Sequence, residues 1–139
     1  MSEAHAIAER WAAALDADAF GELPAFLTED CIYHAPNGAI VGPDAIVASY
    51  RESSEWAHDT FDAISWDSEC AVDEDGRVRI TFIDITDHRG DHHVYRCQQL
   101  VHFDETGLID DIEHVSIEEE EQALAVFFDR VGVVRSNSS

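Results

Sequence analysis

The stretch DITDHRGDHH, Asp84 to His93, holds three aspartates and three histidines. Carboxylates and imidazoles this close together are the ligands of divalent metal centres and the proton carriers of acid–base sites. Metal ligands must converge on one point. His92 and His93 are neighbours, and in a strand their side chains leave opposite faces. Arg89-Gly90 between the two halves has the composition of a tight hairpin turn. The spacing therefore predicts a solvated hairpin tip around His88, Asp91, His92 and His93, and no metal site is assigned.

A two-residue turn at Arg89-Gly90 fixes a register. It pairs His88 with Asp91, Thr86 with His93, Asp84 with Tyr95, Phe82 with Cys97 and Ile80 with Gln99. Reading DETG (104–107) as a four-residue turn pairs Phe103 with Leu108, Gln99 with Ile112 and Cys97 with His114. Paired residues share a face of a sheet. One face then carries Ile80, Phe82, Asp84, Thr86, Tyr95, Cys97, Gln99, Val101, Phe103, Leu108, Ile112 and His114. The other mixes Ile83, Ile85 and Val94 with Arg79, Arg96 and Gln98. The first face is the more apolar and is expected against the helices, yet it holds Asp84, Tyr95, Gln99 and His114. A carboxylate in an apolar concavity has its pKa pushed upward unless it is partnered. The second face suits a sheet-to-sheet contact between two copies of the chain, so a homodimer is expected there.

The elements that must position these groups are legible in outline. Ser2 caps a first helix striped by Ile7, Trp11 and Leu15. A short second helix is expected from Ala19 to Leu27, then a strand in CIYHAPNG ending in a Pro-Asn-Gly turn. Pro43 sits at the first position of a third helix. From Thr60 onward the period changes to two, and FDAISWDSECAV, RVRITFIDITDH, HHVYRCQQLVHF and LIDDIEHV read as four strands. Ser116 and Glu119 form a capping box for a last helix, striped by Leu124, Phe127, Phe128 and Val131 and closed by Gly132. Its opening glutamates suit the helix dipole. The class is α+β: a curved antiparallel sheet wrapped around helices, in one domain over residues 1–134 with a disordered tail at 135–139.

Bulk properties bound the partners. The formal net charge is −22, from 30 acidic residues against 8 arginines and no lysine. That surface repels a phosphate backbone and an anionic bilayer, so neither nucleic acid nor membrane is an expected partner. With no signal peptide or long apolar run, a cytoplasmic location is expected. Cys31, Cys70 and Cys97 lack metal spacing and read as reduced thiols.

The chain resembles the nuclear transport factor 2-like superfamily in its SnoaL-like branch. The resemblance rests on RWAAALDADAFGELPAFLTEDCIYHAPNGAIVGPDAIVASY, the strand meander and FDETGLIDDIEHV, and covers essentially the whole chain. It implies a cone-shaped α+β barrel, an internal cavity and frequent dimers. Such proteins include ketosteroid isomerases, polyketide cyclases, dehydratases, epoxide hydrolases and non-catalytic binding or assembly modules. In the ketosteroid isomerase pattern the general-base position falls at Ala35, beside His34. The oxyanion tyrosine falls at Trp11 and the oxyanion aspartate at Gln99. All three differ here, while Asp84 and His114 fall where that pattern has apolar cavity residues.

The candidate catalytic residues are accordingly Asp84, His114, Tyr95 and His34. Asp84 would act as a general base or hold His114 in one tautomer, and Tyr95 would donate to an oxyanion or to Asp84. His34 would enter the cavity mouth if its strand phase allows; otherwise Tyr33 points inward. Trp11, Tyr33, Phe82, Cys97, Gln99, Phe103 and Ile112 are expected to contact a small, largely apolar ligand. No cofactor is called for. Two functions fit: a cofactor-free isomerase, cyclase, dehydratase or hydrolase, or a non-catalytic binding or dimerisation module. A cavity filled by packed side chains would mark the second.

Overall fold

In a computed structural model, residues 3–134 are described. The expected Ser2 cap and the tail at 135–139 lie outside them. Helix α1 spans Glu3–Asp16, and a 3-10 segment spans Phe20–Phe26. Strands β1 (Leu27–Ala35) and β2 (Gly38–Val41) form a hairpin, followed by helix α2 (Pro43–Thr60). Strands β3 (Ala63–Val72), β4 (Val78–His88), β5 (Asp91–Phe103) and β6 (Ile109–Val115) follow, then helix α3 (Glu118–Val131). No described helix is long and apolar enough to cross a membrane.

The six strands form one sheet in the order β2-β1-β6-β5-β4-β3. All neighbours are antiparallel except β1 and β6, which run parallel. This is the expected α+β architecture. α1 packs across β3 and β4, while α2 packs against β1 and the 3-10 segment. Trp11, Leu23, Ile46, Ile80, Val101, Ile109 and Ile112 are fully buried in one core cluster. A second cluster joins Ala57 and Phe61 to Tyr95 and to Leu124, Phe127, Phe128 and Val131 of α3. α3 thus lies on β5 and the end of α2 and stoppers that end of the curled sheet.

The β4–β5 register is the one that the Arg89-Gly90 turn dictates, from His88↔Asp91 to Ile80↔Gln99. Arg89 and Gly90 both take positive φ, 52° and 82°, as a type I′ turn requires. The hairpin tip is solvated at His92, which contacts Asp87 at 2.8 Å, and Arg130 reaches Asp91, but His88 is largely covered, edge-on to Phe61. His93 turns inward and stacks on Phe127.

The β5–β6 register differs from expectation by two residues. Gln99 lies opposite His114 and Val101 opposite Ile112, and a bulge precedes Phe103↔Ile109. Asp104 tightens the turn by accepting from the Thr106 and Leu108 N–H groups. The extra residue lets Ile109, not Leu108, turn into the core. A shift of two preserves the faces, so Ile112 and His114 still point inward.

Three local expectations fail for identifiable reasons. The second helix is 3-10, because Pro24 inside it cannot donate to an α ladder. β2 was not anticipated, and β1 begins four residues earlier than CIYHAPNG; an irregularity between Leu27 and Ile32 hides its alternation. The capping box does not form. Ile117 is the N-cap residue, without a side-chain cap, and glutamates of the first turn reach across to β5 instead. Gly132 does close α3, at φ 75° and ψ 33°. A Cβ there would meet the Arg89 guanidinium at 3.1 Å. Gly132→Ala should therefore cost about 1 kcal/mol in urea unfolding, with unchanged slope.

Candidate active site

Between the two core clusters lies a cavity of about 370 Å³, within the range of small-molecule sites. Its wall combines the inner sheet face with the end of α1, the β1–β2 turn, α2 and α3. Asp84, Tyr95, His114, Tyr33, Phe82, Cys97 and Gln99 all line it. The other four expected residues do not. Tyr33 takes the inward phase on β1, so His34 faces out and meets Asp111 at 2.8 Å. Trp11 is fully buried, its ring edge-on to Phe26 and Tyr50. Ile112 is likewise sealed in the core. Phe103 sits at the bulged end of β5, packed on the same core cluster.

Asp84 stands in a cross-strand row between Trp66 of β3 and Tyr95 of β5. Among the described residues its carboxyl has no hydrogen-bond or ion-pair partner. Burial, and after it the charge of Asp16, push its pKa up to about 7. Asp16 is the last residue of α1, also on the cavity wall, and accepts from the Ser68 hydroxyl at 2.6 Å. That bond partly offsets the upward push of burial on Asp16 itself. The charge of Asp16 adds to burial in raising Asp84.

Neither suggested partner of Asp84 holds it. Tyr95 donates its hydroxyl to Glu121 of α3 rather than to Asp84. His114 lies opposite Gln99, four positions along β5 from Tyr95. That is about 13 Å along the strand, beyond reach of an Asp84 carboxyl. The cross-strand partner of His114 is Gln99, not Cys97. Burial raises the Cys31 thiol to about 12 and the Cys70 thiol to about 11. Both should stay unmodified by iodoacetamide in native protein at pH 8, read by peptide mass spectrometry.

A second polar region is built on Gln99, which is 4% exposed. Its side-chain carbonyl accepts from the Tyr50 hydroxyl at 2.8 Å, and its amide donates to the Tyr33 oxygen at 3.1 Å. The two tyrosine rings stack at 5.3 Å, 7° from parallel. Burial raises both phenol pKa values above the ordinary range, so both remain neutral donors. The chain of bonds runs Tyr50 to Gln99 to Tyr33. Each bond polarises the next and ends on a hydroxyl at the cavity surface.

Sequence reading missed Asp16, Asp18, Tyr50, Trp66 and Glu121. Asp18 takes φ 55° and accepts from Ser54 at 2.8 Å, with His58 at 3.0 Å on its other oxygen. It ties the end of α1 to α2. One signal was available: Asp16 ends a helix whose last turn has no basic residue, where an acid opposes the dipole.

A sequence profile of the SnoaL-like domain matches residues 8–112. The chain belongs to this SnoaL-like family. Solved structures agree on the fold. One is a candidate polyketide cyclase from Xanthomonas campestris pv. campestris, 16% identical, with a TM-score of 0.65 over 86% of this chain and 94% of the other. Another is an NTF2-like protein of unknown function from Exiguobacterium sp. 255-15, 14% identical, with a TM-score of 0.63 over 81% and 98%. A third is Bal32a from a soil-derived mobile gene cassette, 20% identical, with a TM-score of 0.65 over 81% and 88%. A comparison with curated proteins gave no match. This SnoaL-like chain is thus an NTF2-like α+β cone whose cavity is lined by its own set of polar groups.

Proposed function

We propose that this chain is a cofactor-independent acid–base enzyme for a small, largely apolar molecule bearing a carbonyl group. The observation that carries the reading is Asp84: a desolvated carboxyl on the cavity wall, without a hydrogen-bond partner among the described residues and with a pKa of about 7. A base of that strength takes and returns a proton efficiently near neutral pH. The Asp84 carboxylate removes a proton from carbon at its own end of the cavity, and the electron pair passes along a conjugated system onto a carbonyl oxygen at the Gln99 end. The Tyr33 hydroxyl, backed by Gln99 and Tyr50, donates to that oxygen as its charge develops. Asp84 then returns the proton to a second carbon, giving an isomer; where the ligand carries a second carbonyl, the carbanion adds to its carbon, the C=O π bond opens to an alkoxide, and that oxygen takes the proton. His114, opposite Gln99, lies at the polar end of the wall. Phe82 and Cys97 supply the apolar middle, and Tyr95, engaged with Glu121, is wall rather than donor.

The open cavity favours this reading over a dimerisation module, which needs no such space. The neighbour named a candidate polyketide cyclase is alike in fold. The test is exchange of carbon-bound hydrogen for deuterium in a panel of aryl-substituted ketones in D2O, followed by NMR. Protein-dependent exchange, lost by at least a hundredfold in Asp84→Asn, is expected. Equal exchange in wild type and variant would refute the role of Asp84.

A further inference from the structure

We infer that the molecule taken by this cavity carries a protonated amine, held by Asp16 beside Asp84 among aromatic rings. This deepens the reading above and rests on the same cavity being a ligand site. The charged and aromatic residues of the wall are distributed unevenly. Asp16, Asp18 and Asp84 all line it, and no arginine does; the chain has no lysine. Asp18 is already engaged by Ser54 and His58. Asp16 is held in place by Ser68, which leaves acceptor capacity on its carboxylate. Asp84 has only the charge of Asp16 acting on it among the described residues.

Two carboxyls brought together away from bulk water repel one another, and a cation between them removes that cost. Trp66 is Asp84's cross-strand neighbour, and Trp56, Phe61 and Phe82 share the wall. Carboxylate with aromatic rings is the chemistry that selects an organic ammonium group. A divalent metal is a poorer fit: it needs three or more convergent ligands, and no such group exists among the described residues. An anionic ligand is disfavoured outright, because its charge would add to that of Asp16.

The inference also gives Asp16 a positioning role. An ammonium group beside it offsets the smaller of the two causes that raise the Asp84 pKa, the charge of Asp16, while burial remains the larger. Binding then favours the ionised form of the base. The ligand has three parts: an ammonium at the aspartates, an apolar body over Phe82, and an acceptor toward Tyr33.

The test compares three probes of one shape by isothermal titration calorimetry at pH 8: 4-phenylbutylamine, 4-phenylbutan-1-ol and 4-phenylbutanoate. The amine is expected to bind at least tenfold tighter than the alcohol, and the carboxylate weakest. Asp16→Asn should lower amine affinity about tenfold while leaving the alcohol unchanged. Glu105→Gln, at an exposed turn, should change neither, which separates the cavity from the overall negative field. Equal affinity for amine and alcohol in the wild type would overturn the inference, even if Asp16→Asn fails to fold. So would an unchanged amine-to-alcohol ratio in folded Asp16→Asn. Deuterium exchange on neutral ketones without amine preference would sink this inference alone. Amine preference without exchange would sink the catalytic reading alone.

Discussion

Asp84→Asn is expected to make the protein more stable at pH 8 while removing its proton-transfer activity. The unperturbed pKa is 3.8 and the folded value about 7. Between these values the folded state holds a proton that the unfolded state has lost. Stability therefore falls as pH rises from about 4 to about 7 and is level above that. Three units at about 1.4 kcal/mol each correspond to on the order of 4 kcal/mol, an upper limit because the cavity admits solvent. The asparagine amide is neutral at every pH and escapes that cost. Urea unfolding at pH 8 should show a gain of about 2–4 kcal/mol, shrinking toward zero by pH 4. The wild type should lose stability over that interval, and the variant should lack Asp84's share of the loss. A variant that is less stable at pH 8 would mean that the Asp84 carboxylate has a partner that stabilises it.

Gln99→Leu should act in the opposite direction. Leucine fills a similar volume but offers neither the acceptor that Tyr50 uses nor the donor that Tyr33 uses. Two phenol groups then lose a partner inside the protein, at about 1–3 kcal/mol each. The expected loss is about 2–4 kcal/mol, because the cavity side remains open to water. Adding Tyr33→Phe and Tyr50→Phe should recover part of that loss, since replacing both partners by apolar groups is close to neutral. The triple variant should regain stability but not ligand affinity. If Gln99→Leu alone costs less than about 0.5 kcal/mol, water already serves those hydroxyls and the proposed polarised chain does not operate.

How much of this was legible in the sequence follows from what each residue encodes. Arg89-Gly90 specifies its own backbone geometry, so one dipeptide places Asp84 opposite Tyr95. DETG specifies a turn but not the bulge beside it, so Leu108 was taken inward where Ile109 goes. Alternation then preserved the face of His114 despite a wrong partner. Tyr33 and His34 are both compatible with a strand, and only pairing with β2 and β6 decides which enters. Contacts between distant elements leave no periodic trace. Nothing in a run of four glutamates says that Glu121 meets Tyr95. Nothing local says that Asp16 meets Ser68, although an acid at a helix C-terminus needs an explanation. The family resemblance supplied the cone and the cavity. It did not supply this wall, because the positions that matter depart from the compared pattern.

The central claim is that one aspartate is kept near neutrality inside the cavity. Carbon-13 NMR of the aspartate carboxyls across pH 3 to 9 tests it directly, with Asp84→Asn assigning the resonance. One carboxyl titrating close to pH 7, absent in the variant, is the predicted result. An Asp84 resonance that titrates near pH 4 with the surface aspartates would contradict it.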